Sequence, residues 1–388
     1  MSDIRNVSSR ARVILLSLGH FINDIHANFL PTFLPSLIES LGLSLTQAGL
    51  LTSLPGLIHV SCQPVLGYFS DKYTRPFMII AGPLLSAVGA SLIPVSPGFA
   101  LAFIFTGIWG LGSASFHPQG LGAVGYLSRP ENISFSLSLF QVGGALGVTI
   151  SPLYAAFLAK TFGFSFMPLI CLIPVIPLVI AYILFIPSLD PEGNREDPGD
   201  GMFPTIKKVF VNIWPVWTVA FARDISINAV RFLIPVLISS RGGGLAKIGA
   251  VLFVLNLSRS ALTVAVARIS DKIGRKKVLS ATLLLGPVFM VPSIMIEGLA
   301  STLFLLTGFA IIGCSLPITA SMAQEKAPGS RSTASSLIMG VSFGLSGMMM
   351  TPIGALADIA GLHTTLMAAL SLPLLSLLTL AFGWRKMD

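Results

Sequence analysis

Long apolar runs separated by short polar ones make up almost the whole chain. Twelve can be counted, at about 13–38, 46–69, 77–95, 98–124, 133–159, 165–186, 209–238, 246–268, 278–296, 300–323, 334–357 and 364–384. A helix crosses a bilayer with about 20 predominantly apolar residues, and each run is close to that length or beyond it. No stretch alternates apolar and polar residues with the period of a strand, which excludes a transmembrane barrel. Pro and Gly recur inside the runs, as is usual where neighbouring helices re-satisfy the freed backbone groups. The pattern predicts an all-α membrane protein of twelve transmembrane helices in two pseudo-symmetric six-helix bundles.

The first run carries polar residues at its centre: His20, Asn23, Asp24 and Asn28. At i, i+4 and i+8, His20, Asp24 and Asn28 fall on one side of a continuous helix. An Asp at mid-bilayer costs about 2.5–3.5 kcal/mol even on insertion scales. The stripe must therefore face a water-filled pathway or be buried against partners that neutralise it. Arg5, Arg10 and Arg12 ahead of the run mimic a secretory signal. No small-x-small cleavage pattern follows, however, so the segment reads as an uncleaved first helix.

Composition supports this. The chain has 388 residues, 53% hydrophobic and 10% charged, with a mean hydropathy of +0.85, far from a soluble globular protein. With the N-terminus inside, the inner segments hold 18 of the 24 Lys and Arg. The outer loops hold only Lys160, Arg241 and Lys247, and Arg223, Arg231 and Arg259 lie within spans. The positive-inside rule then predicts a multi-pass protein of a bacterial cytoplasmic membrane with both termini cytoplasmic. It also accounts for the net charge of +8 without nucleic acid, because the cytoplasmic leaflet is itself negative. Cys62, Cys171 and Cys314 sit inside separate runs and suggest neither a disulfide framework nor a zinc site. Gly340-Val341-Ser342-Phe343-Gly344 matches a hydrolase pattern, but it lies within a membrane run with no preceding strand. Phosphate-cradling loops and metal-ligand spacings are missing, so no enzyme, cofactor or resident metal is expected.

A shift of 200 residues aligns the chain with itself. It pairs Phe21 with Phe221, Asp24 with Asp224, Asn28 with Asn228, Pro35 with Pro235 and Gly49 with Gly249. It also pairs Ser70-Asp71-Lys72 with Ser270-Asp271-Lys272, Arg75 with Arg275, Gly144 with Gly344, Gly147 with Gly347 and Pro152 with Pro352. The expected organisation is an N-terminal bundle (1–186), a Pro-, Gly- and acid-containing cytoplasmic linker (187–206) and a C-terminal bundle (207–388).

Two six-helix halves with Asp-Lys-x-x-Arg turns after the second and eighth spans resemble the major facilitator superfamily over essentially the whole chain. The first turn has Thr74 where the family usually has Gly, and the second has Ala267 in place of the leading Gly. Gly19-His20-Phe21-Ile22-Asn23-Asp24 and Gly112-Ser113-Ala114-Ser115-Phe116-His117-Pro118-Gln119, followed by Phe140-Gln141-Val142-Gly143-Gly144, resemble the fosmidomycin-resistance branch. That branch usually has Glu at Gln119. The resemblance implies that spans 1, 4, 7 and 10 line a central cavity; the charges of the two turns, Asp71 and Asp271 amid Lys72, Arg75, Lys272 and Arg275, are expected to make inter-helix contacts that form a cytoplasmic gate.

The ionisable groups deep in spans fall in 1, 2, 4, 7 and 8: His20, Asp24, His26, His59, His117, Arg223, Asp224, Arg231 and Arg259. Asp24, with His20 and His117, is the candidate proton-coupling set. The alternative is a salt bridge between Asp24 and an arginine of span 7. His26 and His59 read as packing residues, and Asp224, next to Arg223, as an internal ion pair. The candidate substrate-binding residues are Asn23, Asn28, Gln119, Arg223, Asp224, Asn228, Arg231 and Arg259. Gly143, Gly144 and Gly147 with Pro152 allow close helix approach and a bend. The expected function is proton-coupled export of a small amphipathic or anionic compound by a monomer, its partners being that compound, protons and the lipid bilayer. Uptake or exchange of a metabolite, transition-metal export through His20, Asp24 and His117, and a non-transporting sensor are the alternatives.

Overall fold

The computed structural model describes residues 8–72, 77–128, 132–186 and 202–384, apart from the side chains of 64, 67–72, 134, 202, 203, 264, 332 and 381–384. Arg75, the side chains of Asp71 and Lys72, and residues 187–201 of the expected linker lie outside the described residues. The described residues are helical with no strand. The first run becomes α1 (Ser9–Asp24) and α2 (Phe29–Leu41). Runs two to nine become α3 (Leu45–Lys72), α4 (Phe77–Leu92), α5 (Phe99–Leu127), α6 (Ile133–Phe162), α7 (Met167–Phe185), α8 (Met202–Ser240), α9 (Leu245–Ile273) and α10 (Arg275–Met295). The tenth is split into α11 (Gly298–Gly313) and α12 (Leu316–Lys326), and the eleventh into α13 (Arg331–Ser336), α14 (Ser342–Met348) and α15 (Met350–Ala360). The last is α16 (Leu362–Trp384). Ten helices or broken helices among the described residues are long and apolar enough to cross a membrane, and α3 and α8 complete the twelve-span architecture.

Three of the breaks precede a proline, although prolines such as Pro118 and Pro152 sit inside unbroken helices. A proline ring inside a helix clashes with the carbonyl four residues earlier and removes a hydrogen bond. Before Pro31, α1 ends ahead of Ala27; before Pro317, α11 ends at Gly313; and before Pro352, α14 ends at Met348. The i, i+4, i+8 stripe is therefore only partly realised. His20 and Asp24 share a helical face, whereas Asn28 stands outside the helix at φ −111°, ψ 16°. Its amide donates to Ser151 Oγ at 2.8 Å and its Nδ2 to the Val148 carbonyl at 2.8 Å. These bonds satisfy groups that the broken helix leaves free.

The chain forms two compact units: Met1–Leu43 with Leu57–Asn194 and Ile238–Phe253, and Ser44–Gly56 with Arg195–Leu237 and Val254–Asp388. In the first unit, α4 packs on α5 and α7, and α1 on α6. The core includes Leu16, Phe29, Phe33, Phe116, Phe140 and Tyr182. The start of α9 also belongs here, with a Cβ at Gly249 falling 2.7 Å from the Pro152 carbonyl. In the second unit, α10 packs on α11 and α16, where a Cβ at Gly308 would lie 2.6 Å from the Gly286 carbonyl. This unit also holds the first half of α3. Ser53 Oγ donates to the carbonyls of Gly347 and Met348, each at 3.1 Å, and accepts from Thr351 N at 3.0 Å.

Candidate functional site

Asp24 ends α1 and is 9% exposed. Two imidazoles turn Nε2 toward its carboxylate. His20 lies one turn earlier at 3.2 Å from Oδ2, and His117 of α5 lies 3.4 Å from Oδ1. Asn23 Nδ2 donates to Oδ1 at 2.9 Å, and its own oxygen accepts from Ser86 Oγ of α4 at 2.9 Å. The opposite ring nitrogens are also engaged. Nδ1 of His20 is 2.8 Å from the Phe140 carbonyl, and Nδ1 of His117 is 2.6 Å from the Ser113 carbonyl.

Proton positions follow from those bonds. A carbonyl only accepts, so each Nδ1 carries the hydrogen, and each Nε2 in a neutral ring presents a lone pair. Facing an ionised carboxylate, that lone pair repels. Each Nε2···Oδ contact therefore requires a proton of its own, and the arrangement as built holds two protons over three bases. With fewer, at least one contact must open.

The glycines of α6 make this cluster possible. A Cβ at Gly144 would lie 2.7 Å from Cδ2 of His20, and one at Gly147 would lie 3.1 Å from the Asp24 Cβ and 2.6 Å from the Phe21 carbonyl. His20 is further clamped between aromatic rings, with centroids 4.2 Å from Phe140 and 5.7 Å from Phe116.

The repeated position in the second unit has other partners. Arg223, fully buried, stands where Asn23 stands in the first half. Its Nε and Nη2 lie 2.9 and 2.8 Å from Oδ1 of Asp224, and Nη1 donates to Thr319 Oγ1 of α12 at 2.9 Å. Ser342 Oγ donates to Asp224 Oδ2 at 2.7 Å, from the residue directly after a π-helical turn at Leu337–Val341; such turns are frequent at functional sites. His20 has Ala220 as its counterpart. A guanidinium does not give up its proton at any physiological pH. Asp224 therefore faces a group of fixed charge, while Asp24 faces two imidazoles.

The remaining candidate residues fall in several places. Arg231 of α8 and Arg259 of α9 are partly buried. Arg259 is within electrostatic range of Arg231, Arg223 and Asp224. Its stem crosses Gly313, where a Cβ would lie 2.5 Å from Cγ. Asn228 Nδ2 donates to Ser346 Oγ at 2.8 Å. Gln119 accepts from the Ile79 amide in the first turn of α4 at 2.9 Å. In the second turn motif, Arg275 Nη2 lies 3.2 Å from Asp271 Oδ1 and Nη1 pairs with Glu325 of α12. Lys272 is exposed.

Other residues in contact with these groups were not given a role by the sequence. His59 of α3, read as a packing residue, has its ring centroid 6.3 Å from that of His117. Ser86, Thr319 and Ser342 orient the carboxylates and their partners, yet single hydroxyls occur in most spans. Asp358 of α15 accepts from the amides of Leu45 and Thr46 at 2.9 and 2.8 Å and from Thr46 Oγ1 at 2.6 Å, capping the first turn of α3.

The family model described as Major Facilitator Superfamily matches residues 16–351. The chain belongs to the major facilitator superfamily. It is a multi-pass membrane transporter and not an enzyme. It is 25% identical over 370 residues to the fosmidomycin resistance protein of Escherichia coli (strain K12), spanning 94% of this chain and 91% of that protein. It is 27% identical over 374 residues to the MFS-type transporter YfnC of Bacillus subtilis (strain 168), with the same coverage of 94% and 91%. A bacterial homologue of the human lysosomal transporter Spinster, solved inward-facing and unoccupied, superposes with a TM-score of 0.74 at 14% identity over 98% of each chain.

Proposed function

We propose that this transporter exports a small anionic or zwitterionic amphipathic compound in exchange for protons. It acts as a monomer in a bacterial cytoplasmic membrane with both termini inside. The bundles 1–186 and 207–388, joined by the linker 187–206, rock about a midplane site. The observation that carries the coupling is the Asp24 cluster, in which two Nε2···Oδ contacts need two protons. Loading the cluster favours the compact arrangement described above, and releasing a proton opens a contact. Proton binding thereby biases one state of α1 against α5 and α6, as a coupling ion must.

The second unit supports the substrate class. Arg223 pairs with Asp224, and Arg259 brings a further positive charge within electrostatic range of the same carboxylate. A guanidinium fork is suited to carboxylate, phosphate or phosphonate groups. The direction of transport rests on likeness to proteins named for fosmidomycin resistance and, over 39% of this chain, for bacillibactin export.

The test uses everted vesicles with an acid interior. Fosmidomycin should release lumenal protons through the wild type and not through Asp24→Asn. Release by the variant at the wild-type rate would defeat the proposal. The cluster's donor atoms lie within 4.8 Å of one another. Accumulation of a divalent cation without proton release would favour metal export instead.

A further inference from the structure

We infer that His59 is the residue through which the Asp24 cluster exchanges its proton with water. The inference rests on the proton-coupling role proposed for that cluster. Within the cluster, access to solvent is graded. His20 and Asp24 have side chains 4% and 12% exposed, against 29% for His117. A proton entering or leaving the cluster therefore passes by way of His117.

His117 has few ways to deliver it. Its Nδ1–H is held by the Ser113 carbonyl at 2.6 Å, and its Nε2 is turned to Asp24 at 3.4 Å. His59 of α3 is half-buried on another helix, with ring centroids 6.3 Å apart and planes at 56°. The ionisable groups described within its electrostatic range are His117 of α5 and Asp24 of α1. A modest rotation of the His117 ring away from Asp24, or one bridging water, brings Nε2–H to a lone pair of His59.

The transfer is a simple exchange. The Nε2–H bond of the His117 imidazolium breaks, an N–H bond forms on neutral His59, and one positive charge moves with the proton. Two imidazolium rings at this separation repel, so His59 accepts only when His117 gives up its charge. The relay therefore carries one proton at a time, and it leaves His117 neutral with its lone pair toward Asp24. That is the state in which a cluster contact must open.

The experiment measures proton uptake by purified, unliganded protein after a pH step, with an indicator dye. His59→Gln should slow uptake at least tenfold while leaving its final amplitude intact. His59→Ala should be slow as well, and added imidazole should restore most of the wild-type rate; a merely structural role would show no such rescue. A wild-type rate in His59→Gln, or a slow His59→Ala that imidazole does not rescue, overturns the inference. Asp24→Asn separates it from the underlying reading. Loss of amplitude in that variant alongside a wild-type rate in His59→Gln sinks the relay alone, whereas full amplitude in Asp24→Asn sinks the coupling site itself.

Discussion

Replacing Arg223 by Met would show whether Asp224 is a locked anion. The guanidinium is fully buried and the carboxylate side chain 5% exposed, so Met leaves a buried carboxylate held by Ser342 alone among the contacts described. Breaking a buried ion pair from one side costs about 3–5 kcal/mol. Taking roughly 2 °C per kcal/mol for a chain of this size, the apparent melting temperature falls by about 6–10 °C. Adding Asp224→Asn removes the stranded charge and keeps an acceptor for Ser342, so the double variant should recover more than half of the loss. Asp24→Asn serves as the contrast. Its amide can donate to one neutral Nε2, so the loss should stay near that of one charged hydrogen bond, about 1.5–3 kcal/mol. Thermal unfolding of the purified protein in detergent reads all four forms. The reasoning fails if Arg223→Met melts with the wild type, or if the double variant is no better than the single one.

Other expectations follow from the same contacts. Gly144→Ala places a methyl against the His20 ring and breaks its bond to Asp24. Loss of a charged hydrogen bond, about 1.5–3 kcal/mol, predicts a drop of roughly tenfold or more in pH-gradient-driven flux, with Gly125→Ala, which meets nothing within 4 Å, as the unaffected control. Asp358→Asn weakens the cap on α3 by about 0.5–2 kcal/mol, which should speed amide exchange at Leu45 and Thr46 by roughly 2- to 30-fold; unchanged exchange would remove the capping role. Arg259→Gln should weaken fosmidomycin binding about tenfold and spare a lipophilic cation, and equal effects on the two would make Arg259 a gate residue instead.

The fold was legible because lipid leaves so few solutions: apolar runs near 20 residues had to be helices, and the 200-residue repeat had to be two homologous bundles. Asp24 and His20 were legible together because i, i+4 spacing holds within α1. The misplacement of Asn28 had a readable cause. Pro31 disfavours helix through Ala27, and Pro317 and Pro352 also follow breaks, although Pro118 and Pro152 sit inside unbroken helices. The ring contact between His59 and His117 was beyond reach because the two are 58 positions apart on different helices, and a lone histidine on an apolar run reads as packing. The difference between the carboxylates was half visible, since Arg223 adjoins Asp224 in the chain, whereas His117 meets Asp24 only through tertiary packing. Asp358 falls one residue beyond the eleventh apolar run, where a carboxylate reads as ordinary surface.

The most direct test of the central claim is fosmidomycin transport by the reconstituted protein under an imposed pH gradient, wild type against Asp24→Asn, with unlabelled-for-labelled exchange measured in the same vesicles. The account predicts that the wild type concentrates the compound against its gradient, while Asp24→Asn exchanges it yet accumulates none. Accumulation by Asp24→Asn to the wild-type level would contradict it.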